Sequence, residues 1–447
     1  MRLLTFLLSL GVFASFGAGQ AAAQNAVHHT AAERIAQLEH RHHAMASREA
    51  HAAAMRMQSM DQISLRMSRH VERLGSLRRP YYARRGEVLA IGLDDDALQE
   101  LENSGWTRKG QRELTALAMT IDTLRVPRRM SLRRGLKKLS ASYAHAVIAP
   151  NALFHRRGSA PQKPAEILRS RSGASSATLG LIDTAADRAA LGPLAPMIIA
   201  KSFASDGDEA KDQGNGTAVR GDDQRAEPGR FSHGTMVAGI AAEAGADQLY
   251  IADVFGGERR RADAADLAQA VDWMVSEGVR VVNISLAGPK NAVVEAALKR
   301  AAQQNTLFVA SVGNDGPHRR PRYPAAYDEV IAVTAVDEQL ELYRRANTGP
   351  AVDVAAFGVG LDHGDERQPV SGTSFAAPVV SAFLAAAAGT SGLDAASARA
   401  LLAQSVLDRG APGRDPLYGE GVLIRTPEPT SLAALEDGRQ EKERSAE

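Results

Sequence analysis

From residue 177 onward, short apolar runs alternate with longer helical ones. The runs "ATLGLID" (177–183), "LYIADVF" (249–255), "VRVVNISL" (279–286), "TLFVASVG" (306–313) and "VIAVTAV" (330–336) are rich in β-branched and aliphatic residues. Between them stand helical segments such as "ADLAQAVDWMVSEG" and "NAVVEAALKRAAQQ". A strand that is apolar on both faces must be covered on both faces, and parallel neighbours need a crossover between them. The alternation therefore predicts an α/β fold, a mostly parallel sheet with helices on both faces. Sheets of this kind hold ligands beyond the carboxyl ends of their strands, so the polar residues that close these runs carry the functional interest.

Four such residues stand out. Asp183 ends "ATLGLID", His233 precedes an apolar helical run in "SHGTMVAGI", Asn314 follows a strand in "VGNDG", and Ser374 opens the helix "SFAAPVVSAFLAAAA". Singly, each fits a strand-end cap, a helix terminus, a turn or an N-cap. Together they supply a chemistry. A serine hydroxyl becomes a nucleophile when a neighbouring imidazole takes its proton. The imidazole in turn needs a carboxylate on its other nitrogen to fix its tautomer. A tetrahedral oxyanion needs preorganised donors, and the Asn314 amide and the Ser374 N–H at a helix N-terminus are of that kind.

These motifs, in this order, resemble the subtilisin-like serine proteases (the subtilase or peptidase S8 family): "IDT" at Asp183, "HGTMVAG" at His233, "GND" at Asn314 and "GTSFAAP" at Ser374. The resemblance covers about residues 176–425, including the closing "GRDPLYGEGVL". It implies Asp183, His233 and Ser374 as catalytic residues and Asn314 in the oxyanion hole. It also implies that Ser285, Leu286, Ala287 and Gly288 in "NISLAG" pair with substrate backbone, with Gly313 alongside and "YPA" (323–325) near the pocket for the residue before the scissile bond. Ala287, Ala310 and Gly313 leave that pocket room for an apolar side chain, whereas Arg319, Arg320 and Arg322 favour an acidic one. In one departure from the family, Ala185 stands where a glycine is usual, two residues after the aspartate. The implied activity is that of an endopeptidase, the alternative being a catalytically silent binding protein with the same fold. An α/β-hydrolase would need G-x-S-x-G around its nucleophile, which "GTSFA" does not supply.

The chain ahead of residue 177 divides by composition. Residues 1–23 read as a signal peptide, with Arg2, an apolar run from Leu3 to Phe16 and Ala21-Ala22-Ala23. Residues 24–82 are polar, rich in His, Met and Arg, and are expected to be helical or disordered. Seven of the twelve histidines lie there, at spacings that match no defined metal site. Residues 83–157 follow a β-α-β-β-α-β order, the split βαβ or ferredoxin-like pattern. With the resemblance in view, that small α+β unit has the size and position of a propeptide. It is expected to act as intramolecular inhibitor and folding aid of an enzyme made as a zymogen. Residues 158–176 have linker composition, 177–428 form the catalytic domain, and 429–447 are a charged tail.

Zero cysteines exclude disulfides and a thiol nucleophile. From 24 to 175 there are 26 lysines and arginines against 14 acidic residues, and from 176 to 447 there are 26 against 38. The two parts are thus oppositely charged. Protein or peptide substrates and the chain's own prosegment are the expected partners. No nucleic acid and no transmembrane segment is expected, and the protein is expected to be a monomer, secreted or periplasmic. No cofactor is required. The acidic stretch "SDGDEAKDQGNG" offers oxygen donors for a structural calcium ion, but Asp206, Asp208 and Asp212 do not follow EF-hand spacing.

Overall fold

A computed structural model describes residues 71–76, 79–155, 177–204, 232–256, 261–360, 370–389 and 392–424. The expected signal peptide (1–23), most of the His/Met/Arg-rich segment, the linker (158–176), the acidic stretch with Asp206, Asp208 and Asp212, and the charged tail (429–447) lie outside them.

The N-terminal unit runs β1 (Val71–Ser76), β2 (Arg79–Ile91), α1 (Asp95–Asn103), β3 (Thr107–Leu114), β4 (Met119–Arg125), α2 (Leu132–Ser142) and β5 (Val147–Phe154). Both helices start where the sequence offers a cap. Asp94 accepts from the Ala97 N–H with Asp95 and Asp96 in the first turn, and Ser131 accepts from the Arg134 N–H. The strands pair antiparallel in the order β3-β4-β2-β5, as a split βαβ unit requires. One expectation is corrected. Residues 71–76 and 79–82, assigned to a helical or disordered segment, form β1 and the start of β2, which pair antiparallel. "VERLGS" has little intrinsic strand preference; pairing with β2 and burial of Val71 and Leu74 make it a strand.

"VLAI" (88–91) in β2 is apolar on both faces because both are covered. Val88 and Ala90 pack with Leu98, Leu101, Leu132 and Leu139 of the unit's own helices. Leu89, Ile121, Ala149 and Phe154 face the other way and join one core with residues beyond 250.

That second part is built on β6 (Ala177–Asp183), β7 (Ile198–Ser202), β8 (Ala246–Asp253), the two-residue β9 (Ala262–Asp263), β10 (Val281–Ile284), β11 (Leu307–Ser311), β12 (Val330–Val336), β13 (Val354–Phe357), β14 (Val406–Leu407) and β15 (Val422–Leu423). Its helices are α3 (Arg188–Leu191), α4 (His233–Glu243), α5 (Ala264–Ser276), α6 (Ala292–Ala302), α7 (Thr373–Ala388) and α8 (Ala395–Ser405). Nine strands form one sheet in the order β14-β15-β13-β12-β11-β10-β6-β8-β7, parallel except for β14 with β15. Residues of α4, α7 and α8 fill the core on one face, and those of α5 and α6 the core on the other.

From β6 the chain goes on to α3, whose Leu191 joins the core that α4 fills, and from β10 to α6 in the core on the other face. A crevice opens at the carboxyl ends of two neighbouring strands whose connections part in this way.

Candidate active site

At the end of β6 the Asp183 carboxylate is buried and accepts from the Thr184 N–H at 2.6 Å. Across the crevice His233 is the first residue of α4. Ser232 caps that helix by accepting from the Thr235 N–H at 3.2 Å, and donates to the Ala185 carbonyl at 2.6 Å. Gly234 N–H donates to Thr184 Oγ1 at 2.8 Å. The turn after the aspartate is thereby stitched to the helix that carries the histidine. Gly234 has to be glycine, since a Cβ there would stand 2.1 Å from the Thr184 carbonyl oxygen.

The imidazole lies between two partners. Nδ1 is 2.9 Å from each Asp183 oxygen, and Nε2 is 2.9 Å from Ser374 Oγ. An ionised carboxylate only accepts, so Nδ1 carries the proton and Nε2 presents its lone pair to the hydroxyl. Phe375 packs its ring 5.3 Å from the imidazole, centroid to centroid, and limits its tilt. His233 is fully buried and Ser374 nearly so.

Ser374 is the second residue of α7, and Pro378 stands four residues later in the same helix. A proline lacks the N–H that would bond the carbonyl four residues back. The Ser374 carbonyl receives its hydrogen bond from Ser285 Oγ instead, at 3.1 Å. Asn283 Nδ2 donates to Ser285 Oγ at 2.9 Å, and Ser381 Oγ donates to Asn283 Oδ1 at 3.3 Å. The strand end at 283–285 thus fixes the turn of α7 that carries the hydroxyl.

Asn314 is oriented from the same helix. Its Oδ1 accepts from the Thr373 N–H at 3.1 Å and from Thr373 Oγ1 at 2.9 Å. A backbone N–H only donates, so the atom facing it must be oxygen and the amide nitrogen turns the other way. Gly372 keeps a space open there: a Cβ on it would lie 3.2 Å from Asn314 Nδ2 and 3.3 Å from Ser374 Oγ. Amide, hydroxyl and helix N-terminus border that one space, and a carbonyl oxygen placed in it would meet N–H donors.

Of the residues named for substrate backbone, Ser285 adjoins the hydroxyl-bearing helix as described. Leu286 turns its side chain into the core. Ala287 is paired antiparallel with His155: His155 N–H donates to the Ala287 carbonyl, and Ala287 N–H to the His155 carbonyl, both at 2.9 Å. Just before this bridge, Leu153 pairs with Asp263 and Phe154 with Ala262 of β9. Gly288 backs the fully buried Phe154 ring, which a Cβ on the glycine would meet at 2.2 Å. The end of β5 therefore lies as a strand between β9 and Ala287.

Gly313 adopts φ 103°, a left-handed conformation that favours glycine. Arg322 N–H bonds the Val312 carbonyl at 3.0 Å, and Tyr323 exchanges hydrogen bonds with Gly288, so residues 322–323 bridge the segments at Gly288 and Val312. Of the three arginines singled out, Arg319 and Arg320 are exposed, whereas Arg322 Nε pairs with Asp315 at 2.6 Å. Thr373 and Asn347, which bond around Asn314, were not named as site residues. Thr373 stands inside "GTSFAAP", a signal that could have found it, whereas Asn347 has no local pattern that separates it from any asparagine in a turn. Among the described residues no group of three or more His, Asp or Glu side chains is arranged to hold a metal ion, and no helix is long and apolar enough to cross a membrane.

The chain matches the sequence profile of the subtilase family over residues 122–421. It is 31% identical over 217 residues to the minor extracellular protease Epr of Bacillus subtilis, covering 47% of this chain and 32% of that protein. It is 33% identical over 162 residues to subtilisin BL of Lederbergia lenta, covering 33% of this chain and 60% of that protein. The chain thus spans less than two thirds of either relative's length. Among solved structures it resembles fervidolysin from Fervidobacterium pennivorans, a keratinolytic enzyme related to subtilisin, with a TM-score of 0.56 and 18% identity over 77% of this chain and 62% of that one.

Proposed function

The chain belongs to the subtilase family, and on that footing we propose that it is an exported serine endopeptidase made as a zymogen. The observation that carries the reading is the hydrogen-bonded series from Asp183 through both nitrogens of His233 to Ser374 Oγ. Ser374 Oγ attacks the carbonyl carbon of a peptide bond while its proton passes to His233 Nε2. Asp183 holds the tautomer and stabilises the imidazolium. The carbonyl oxygen becomes an oxyanion between the Ser374 N–H and Asn314 Nδ2. Collapse of the tetrahedral intermediate breaks the C–N bond. The amine leaves with the His233 proton, and an ester remains on Ser374. Water, deprotonated by His233, attacks that ester, and as the acyl–oxygen bond breaks Ser374 Oγ takes the proton back from His233 and the acid is released.

The zymogen reading is supported by the end of β5. Residues 153–155 lie antiparallel to Ala287, on the segment assigned to substrate backbone, and Phe154 is fully buried there. Two residues before Ala287, Ser285 bonds the Ser374 carbonyl, so a strand on this track leads to the hydroxyl. A strand laid along this track is what an inhibitory prosegment would supply, and this contact is what supports the reading.

Intact masses of the exported chain and of Ser374→Ala, with fluorophosphonate labelling of each, test the reading. The wild type should be labelled once and shortened at its N-terminus beyond any signal peptide. The variant should be unlabelled and longer. A wild type that neither labels nor shortens is the silent binding protein instead.

A further inference from the structure

We infer that Asn347 is a positioning residue for the oxyanion amide, an assignment that rests on the protease reading above. The loop bearing Asn314 has little stiffness of its own. Glycines at 313 and 316, with φ 103° and 108°, bracket Asn314 and Asp315, and glycine restrains the backbone least of all residues. Thr373 orients the Asn314 side chain, but that aim is only as good as the position of the backbone behind it.

Asn347 holds that backbone on both sides of Asn314. Its N–H donates to the Gly313 carbonyl at 3.0 Å, and its Oδ1 accepts from the Asp315 N–H at 2.7 Å. Its Nδ2 donates to the carbonyls of Val312 at 3.1 Å and Arg320 at 3.2 Å, and lies 3.4 Å from Asp315 Oδ2. The orientation is forced, since the oxygen must face the Asp315 N–H and the nitrogen the carbonyls. Asn347 is fully buried, so a lost bond is not replaced by water. Gly313 has to be small beside it, because a Cβ there would stand 2.8 Å from Asn347 Nδ2. The same amide is linked to Arg322, since Asp315, whose N–H it accepts, pairs with that guanidinium at 2.6 Å.

A carbonyl oxygen in the space beside Gly372 is stabilised only where Asn314 Nδ2 stays within hydrogen-bond reach as charge develops. Releasing the loop shifts that nitrogen while leaving Asp183, His233 and Ser374 in contact. The cost then falls on kcat, and it falls only on an enzyme that still has the Asn314 amide to misplace.

A double-mutant cycle on the chain as exported by its host tests this with a chromogenic peptide. Asn347→Ala should lower kcat by about 10- to 100-fold, the scale of a misplaced catalytic group, with KM within about three-fold. In the Asn314→Ala background the same change should lower kcat by less than about two-fold, since groups acting as a unit are non-additive. Should Asn347→Ala not fold, Asn347→Ser runs the same cycle, with the unfolding midpoint measured on each variant. Effects that add in full, or that appear in KM alone, overturn the assignment and leave the protease reading intact. A wild type that neither hydrolyses the peptide nor reacts with fluorophosphonate overturns both.

Discussion

The N-terminal sheet β3-β4-β2-β5 is antiparallel, carries its own helices on one face and lays the other against the core that α5 and α6 share. The nine-stranded sheet is almost wholly parallel and has helices on both faces. In the parallel sheet every strand points its carboxyl end the same way, so Asp183, the 283–285 stretch and Asn314 gather along one rim. An antiparallel sheet has no such rim. Its reach toward the crevice is the extension of one edge strand, β5, and what it offers there is backbone and Phe154. Strand direction thus decides which region gathers the motif residues along one rim and which one reaches that rim through a single strand.

Charge separates the regions too, though not through the cluster that the sequence makes conspicuous. Residues 125–138 carry seven cations and no acid. Yet Arg133, Arg134, Lys137 and Lys138 are exposed on α2, a helix packed on the unit's own sheet. The contacts fall to the opposite face. Arg84 Nε meets the buried Asp263 at 2.5 Å, and Arg112 Nη2 meets the buried Asp266 at 2.9 Å. Asp263 also caps α5 by accepting from the N–H groups of Ala265 and Asp266. Asp272 of that helix accepts from the Leu117 N–H at 2.9 Å.

The largest expected effect lies on the rim. Asn314→Ala should lower kcat by about 10²- to 10³-fold with KM little changed, since the amide acts on the transition state. Steady-state kinetics on a peptide substrate check it, and a rise in KM with kcat intact would make Asn314 a turn residue only.

Next comes the contact between regions. In full-length Ser374→Ala, replacing Arg84 and Arg112 with glutamine removes the ion pairs they make with the buried Asp263 and Asp266. Breaking such a pair typically costs about 3 kcal/mol or more. Hydrogen exchange at the His155 amide, which is held by the Ala287 carbonyl, should accelerate on the order of 10²-fold. Unchanged protection would mean that apolar packing alone seats the unit.

A smaller effect is expected within the parallel region. Gly234→Ala forces a methyl onto the Thr184 carbonyl, and overpacking of this kind costs about 1–3 kcal/mol. Thermal unfolding should register the loss, and activity should fall with it as His233 draws away from Asp183. Gain of stability would show that the turn has room to yield.

The smallest is a test of the conspicuous cluster. Glutamine at positions 133, 134, 137 and 138 should change His155 exchange by less than about two-fold, as exposed charges contribute little. A change as large as that of the Arg84 and Arg112 pair would reverse the comparison between the two faces of the unit.

The sequence by itself determined the alternation of the large sheet and the residues that meet in its crevice. Asp183, His233, Asn314 and Ser374 each sit in a motif whose neighbours are locally constrained. Gly234 is required by close approach, Gly372 leaves room beside Asn314 and Ser374, and Pro378 frees the carbonyl that Ser285 bonds. Constraints of that kind act over a few residues and leave a mark in the string. The tertiary structure alone decided the rest. The strand at 71–76 exists because β2 pairs with it. The ion pair that Arg84 of the N-terminal unit makes with Asp263 joins residues 179 apart. The hold of Asn347 on Asp315 spans 32 residues. An arginine, an asparagine or a short polar run looks the same in sequence whether or not a distant partner waits for it. Burial, which turns an ordinary hydrogen bond into one that water cannot replace, is fixed only when the whole chain has packed.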